Sequence, residues 1–114
     1  MPHVSIEFSK GLEQTADIQS ICNDVFEVLA GQSTFPDASV IKVRASAVDY
    51  IRIGRDPQTF AHATLSLMAG RDEPTRKHLN DVILDVLIKA LPDVSNLTVQ
   101  EVKMTSATYA KRTL

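Results

Sequence analysis

The chain carries two copies of one pattern, and that repetition limits what it can fold into more than any other feature. Pro2-His3-Val4-Ser5-Ile6, running on to Gly11, aligns with Ala61-His62-Ala63-Thr64-Leu65, running on to Gly70. Asn-Asp-Val occurs at 23–25 and again at 80–82. A repeat at a fixed spacing marks each copy as one supersecondary unit whose apolar face needs its neighbour. Inside the first copy, Val4, Ile6 and Phe8 alternate with His3, Ser5, Glu7 and Ser9, the period of a half-buried strand. Ile18, Ile21, Cys22, Val25, Val28 and Leu29 then recur at three- and four-residue spacing, which predicts a helix over 13–30 closed by Gly31. After a loop at 32–36, alternation returns over 40–53. Ile41, Val43, Ala45, Ala47, Ile51 and Ile53 face one way, and Lys42, Arg44 and Ser46 the other. A turn follows at 54–57.

The second copy repeats the order. Ala61, Ala63, Leu65 and Leu67 alternate with His62, Thr64 and Ser66. Asp72 or Glu73 is placed to cap a helix with Pro74 in its first turn. Leu79, Val82, Ile83, Val86, Leu87 and Ala90 line one face of that helix, which ends before Pro92. A last strand is expected over 97–104. The polar tail from Thr105, with Tyr109 in it, reads as an arm or a short strand. Two strand–helix–strand units side by side predict an α+β fold, a four-stranded mixed sheet with both helices on one face. The repeat spans 2–56 and 59–104 within one domain expected over 1–114. The opposite sheet face carries His, Ser, Thr, Lys and Arg, to be solvated or covered by sister subunits.

Composition narrows the partners. A formal net charge of −2 gives no reason to expect nucleic acid or an acidic membrane surface. No apolar run approaches the roughly 20 residues that span a bilayer, and the start lacks the pattern of a signal peptide. Cys22 is the single cysteine, so no internal disulfide forms and a reducing, cytoplasmic setting fits. It falls on the apolar helical stripe, as a core residue would. His3, His62 and His78 have no recognised metal-site spacing. No Gly-rich phosphate loop, Cys–His pair or Ser–His–Asp arrangement is present.

Chemistry enters where the copies differ. Position 2 is proline and its counterpart is Ala61; Arg71 stands opposite Leu12. Removal of Met1 leaves Pro2 with a free secondary amine at the head of a buried strand. An ordinary α-amino group titrates at about 7.7–8.0, and desolvation lowers that value. Such an amine is a neutral general base near pH 7. A Met-Pro start is also simply common, and the dipeptide alone leaves both readings open. Arg71 fits either a solvated loop residue pairing with Asp72 or Glu73, or an anion ligand. Lys42 and Arg44 fit either a solvated strand face or the same anion site. Arg52 and Arg55 read as turn charges.

Pro2-His3, Phe35-Pro36, Val48-Asp49 and His62-Ala63-Thr64-Leu65…Ala69-Gly70-Arg71, in that order, resemble the 5-carboxymethyl-2-hydroxymuconate isomerase family of the tautomerase superfamily. The resemblance runs from Pro2 to about Leu91. It implies the tautomerase fold, a homotrimer and a cofactor-independent isomerase. In such an enzyme the terminal proline moves a proton along an unsaturated 2-hydroxy or 2-oxo dicarboxylic acid such as 5-carboxymethyl-2-hydroxymuconate. By position, Pro2 matches the family's base and Arg71 an arginine that holds the anionic substrate. Two further family arginines fall on Lys42 and Arg44. Arg44 fits, whereas Lys42 keeps the charge and loses the bidentate fork that suits a carboxylate. A histidine–tryptophan pair of the family pattern is Ser46-Ala47 here, giving a smaller, less aromatic pocket wall. Two other readings stay open: a promiscuous keto–enol tautomerase of a related acid, and a trimeric binding protein of the same fold without the chemistry.

Overall fold

The computed structural model describes residues 1–114. Strand β1 (His3–Ser9) leads to helix α1 (Ile18–Ala30) and strand β2 (Lys42–Val48). Strand β3 (Phe60–Met68), helix α2 (Glu73–Ala90) and strand β4 (Asn96–Met104) repeat that order. The sheet order is β2-β1-β3-β4. Pairing is parallel within each unit and antiparallel where β1 meets β3. Both helices pack on one face, where Val4, Ile6, Phe8, Ala61, Ala63, Leu65 and Leu67 meet Ile21, Val25, Leu29, Leu79, Ile83 and Leu87. The mixed four-stranded sheet with two helices is the architecture that the repeat predicts.

The differences lie at element ends. The first helix starts at Ile18 and not at residue 13, because Asp17 caps it by accepting from the Ser20 amide at 3.1 Å. Leu12–Gln14 form a separate 3-10 turn. The expected strand over 40–53 stops at Val48. Its partner β1 ends at Ser9, opposite Val48, and the Lys10 amide makes the last bond to the Val48 carbonyl at 3.3 Å. Past that point an edge strand has nothing to pair with, so the apolar alternation continues in sequence without a ladder. Tyr50 is left 93% exposed and Ile51 41% exposed. Helix α2 matches its signals, with Asp72 accepting from the Thr75 amide at 2.9 Å and proline in the first turn. The tail forms a 3-10 turn at Ser106–Thr108 and then runs as an arm to the head of β1.

The two units are joined at the centre by a buried clamp. Ser9 Oγ accepts from the Phe60 amide at 2.8 Å and donates to the Phe60 carbonyl at 3.4 Å. Beneath α2, Arg76 is paired with Glu101 of β4 at 2.8 Å. Ser9→Ala strands a buried amide, and unfolding in urea should show a loss of about 1–3 kcal/mol. Leu65→Ala, which opens a cavity under a fully buried position of β3, should cost about 2–5 kcal/mol in the same measurement.

Candidate active site

The alternation that buries Val4, Ile6 and Phe8 also places position 2 among the buried residues, and Pro2 is fully buried. Its carbonyl accepts from the Lys42 amide at 3.1 Å, which extends the β1–β2 ladder to Pro2. The amine that precedes it, on Met1, is partly buried. Its pKa lies below the ordinary α-amino value, first because burial penalises the ammonium form and then because Arg71, Lys42 and Lys111 are close. Two of the cations singled out from the sequence therefore converge on the start of the chain.

Arg71 reaches this place from the turn after β3. Gly70 supplies the positive φ of 122° that this turn needs, a conformation that side-chain-bearing residues rarely adopt. The guanidinium of Arg71 lies 5.4 Å from the centre of the Phe35 ring and donates to the Met68 carbonyl at 3.3 Å. Phe35 is itself buried in the loop between α1 and β2. The arginine is thus fixed by a cation–π contact and one hydrogen bond, and has donors left to offer an anion. Neither Asp72 nor Glu73 forms an ion pair with it: Asp72 caps α2 instead.

Lys42 opens β2 opposite His3, and its ammonium donates to the Val40 carbonyl at 3.1 Å. Arg44 stands one rung further, opposite Ser5. Its charge falls on His3, donating to Nδ1 at 3.2 Å. An arginine cannot accept, so Nδ1 is the unprotonated nitrogen and Nε2 carries the hydrogen. Nε2 then donates to the Tyr109 hydroxyl at 2.8 Å. Burial, followed by Arg44, Lys42 and the terminal amine, lowers the His3 pKa and keeps the ring neutral. His62, the repeat counterpart of His3, bonds Thr98 at 2.6 Å and takes no part at this end.

Arg71 and Lys42 are therefore brought to the amine, while Arg44 sits beside them on the polar sheet face. Sequence reasoning missed Lys111 and the contact of Tyr109 with His3. The only signal for them was a tyrosine in an otherwise polar tail. A cavity of about 840 Å³ lies elsewhere, between α1 and α2 along Val28, Val82 and Val86. No three His, Cys, Asp or Glu side chains come together as metal ligands.

Comparison with known proteins gives the family and the fold. The family model of 5-carboxymethyl-2-hydroxymuconate isomerase matches residues 2–108. No curated protein matches the sequence. Among solved structures, a 5-carboxymethyl-2-hydroxymuconate isomerase from Deinococcus radiodurans superposes with a TM-score of 0.83 at 20% identity, covering 97% of this chain and 88% of that one. A 5-carboxymethyl-2-hydroxymuconate delta-isomerase gives a TM-score of 0.83 at 18% identity, with 99% and 88% covered. A fused 4-OT wild-type symmetric trimer gives 0.77 at 15% identity, with 92% and 87% covered. These likenesses show the tautomerase fold, and the match over nearly the whole chain shows that this protein belongs to the 5-carboxymethyl-2-hydroxymuconate isomerase family, an isomerase family of the tautomerase superfamily.

Proposed function

We propose that this chain is a cofactor-independent isomerase of unsaturated 2-hydroxy or 2-oxo dicarboxylic acids, of which 5-carboxymethyl-2-hydroxymuconate is the best fit, with Pro2 as its general base. One feature carries the reading: the amine at the start of the chain, on Met1, is partly desolvated and lies in the field of Arg71 and Lys42, which together lower its basicity. Removing Met1 moves that amine one residue inward, onto the buried proline. A neutral secondary amine there takes a proton from the enol oxygen or the α-carbon. Negative charge then spreads over the dienolate oxygen, and Arg71 and Lys42 stabilise it as it develops. The protonated amine returns the proton to another carbon of the conjugated system, so base and substrate end each cycle in balance. Arg71, Arg44 and Lys42 would hold the carboxylates, with Arg71 presented most rigidly because Phe35 and Met68 fix it.

Assembly belongs to the same proposal. A homotrimer is supported by the symmetric trimer seen for the fused 4-OT neighbour. Light scattering at micromolar concentration should give three times the chain mass of 12.5 kDa. A monomeric mass would count against it.

The base is tested by mass spectrometry and by acetylation. The purified chain should lack Met1, and acetylating the new terminus should abolish turnover while the circular dichroism spectrum stays the same. An acetylated protein that isomerises at the original rate removes Pro2 from the mechanism. Pro2→Ala keeps a lone pair on a primary amine, so activity should fall only in part. Arg71→Ala should lower both kcat and kcat/KM by about 10²–10³, while Arg55→Ala in the distant turn should change neither. The pH profile has a definite sign. The ammonium form is inactive, so kcat/KM should rise with pH through one apparent pKa lying below that of an unburied terminal proline.

A further inference from the structure

The segment after β4 follows a definite course around the head of β1. Met104 ends β4 opposite Met68, and the Ala69 amide donates to its carbonyl at 2.9 Å, so the segment leaves the sheet beside the turn that carries Arg71. The 3-10 turn at Ser106–Thr108 redirects it, with the Tyr109 amide donating to the Ser106 carbonyl at 3.3 Å. Tyr109 is then anchored on His3 by the 2.8 Å hydrogen bond and an edge-on ring contact, centroids 6.0 Å apart at 63°. Two residues on, the ammonium of Lys111 donates to the Met1 sulfur at 3.6 Å. The arm thus starts near Arg71, crosses to the side of Lys42 and Arg44, and ends with a cation over the first residue. The family match stops at residue 108, so Tyr109 and Lys111 lie outside it.

We propose that Lys111 is a further substrate-binding residue of this site, a cation brought to the first residue of the chain by the arm that Tyr109 anchors on His3, and directed at the second carboxylate of a dianionic acid. Lys111 is exposed and forms no ion pair with a carboxylate, and its one hydrogen bond is to the weak acceptor on Met1. Loss of Met1 removes that contact, and the Tyr109–His3 hydrogen bond two residues away then keeps the freed ammonium at this end of the sheet. The arrangement also bears on Lys42. That position lacks the bidentate fork of an arginine, and a second ammonium from the arm restores a two-point grip on a carboxylate by a different route. Charge near the amine has a second effect, since every cation there disfavours the ammonium form and helps keep the base neutral.

This inference rests on the proposed function for its substrate, and its test separates the two. In Lys111→Gln, the α-amino group of the purified protein, followed by NMR titration of 15N-proline-labelled chain, should titrate at higher pH than in the wild type. This readout needs no turnover, so it stands even if no acid of the proposed class is isomerised. With turnover, Lys111→Gln should raise KM about tenfold for an unsaturated 2-oxo dicarboxylate. Measured at a pH above the amine's pKa in both proteins, where the base is neutral in each, KM for the matching monocarboxylate and kcat for both acids should change by less than about twofold. Lys111→Arg should retain the wild-type KM, and Tyr109→Phe should raise KM for the dicarboxylate in the same direction. An unchanged amine titration overturns the placement of Lys111. An equal change in KM for the two acids overturns its role at the second carboxylate.

Discussion

Strand β1 has a neighbour on each side, and the side-chain parity of that one strand governs the rest of the molecule. Burying Val4, Ile6 and Phe8 against the helices fixes the even-numbered positions as the inner set. Parity then leaves no choice about the others. Pro2 joins the buried set, while His3 and Ser5 are turned to the polar face beside Lys42 and Arg44. A register slip of one residue would exchange the two faces, and burial of three large side chains, each worth about 1.5–3 kcal/mol, opposes it. The same force that holds the sheet together therefore desolvates the start of the chain and lines up cations next to it.

The pseudo-symmetry of the two units shows how a site arises at one end only. Gly11 and Gly70 occupy matching positions after β1 and β3, with φ of 105° and 122°. The backbone is prepared in the same way twice. The residue that follows is Leu12 in one unit and Arg71 in the other, so only one turn projects a charge. The heads of β1 and β3 differ just as much. The head of β3 is closed by the Ser9–Phe60 clamp and by Asn96, which donates to the Thr59 carbonyl at 3.1 Å. The head of β1 is bounded by Lys42, Arg71 and the arm from Tyr109 to Lys111. A buried proline, rather than the alanine of the other copy, completes the contrast.

Much of this was legible in the sequence, and the reason is periodicity. The alternation in β1 and β3, the apolar stripes of both helices and the internal repeat fix the elements, their order and the face that each buries. That proline at position 2 stands against Ala61, and Arg71 against Leu12, follows from comparing the copies. These are local properties of a chain, set by which neighbours share a face at spacing two or at three to four. The strand over 40–53 was misjudged in length for the complementary reason. Its alternation is real, but a strand exists only as far as its partner does, and β1 ends opposite Val48.

What the tertiary structure decided is everything that depends on residues far apart in the chain meeting in space. Arg44 reads as a free cation in sequence, yet in the fold it is occupied with His3, whose tautomer it sets. Phe35 and Arg71 stand in different loops of different units and become a cation–π pair only when the sheet closes. The polar tail carries no period, so the sequence leaves it as an arm or a short strand without saying where it lies. Its course over the head of β1 is set by one tyrosine finding one histidine 106 positions away. Sequence determined which residues would be buried and which exposed, because that is a matter of local alternation and hydrophobic burial. The fold alone decided which of the exposed charges would share a site, because that is a matter of where separate loops are brought when the two units dock.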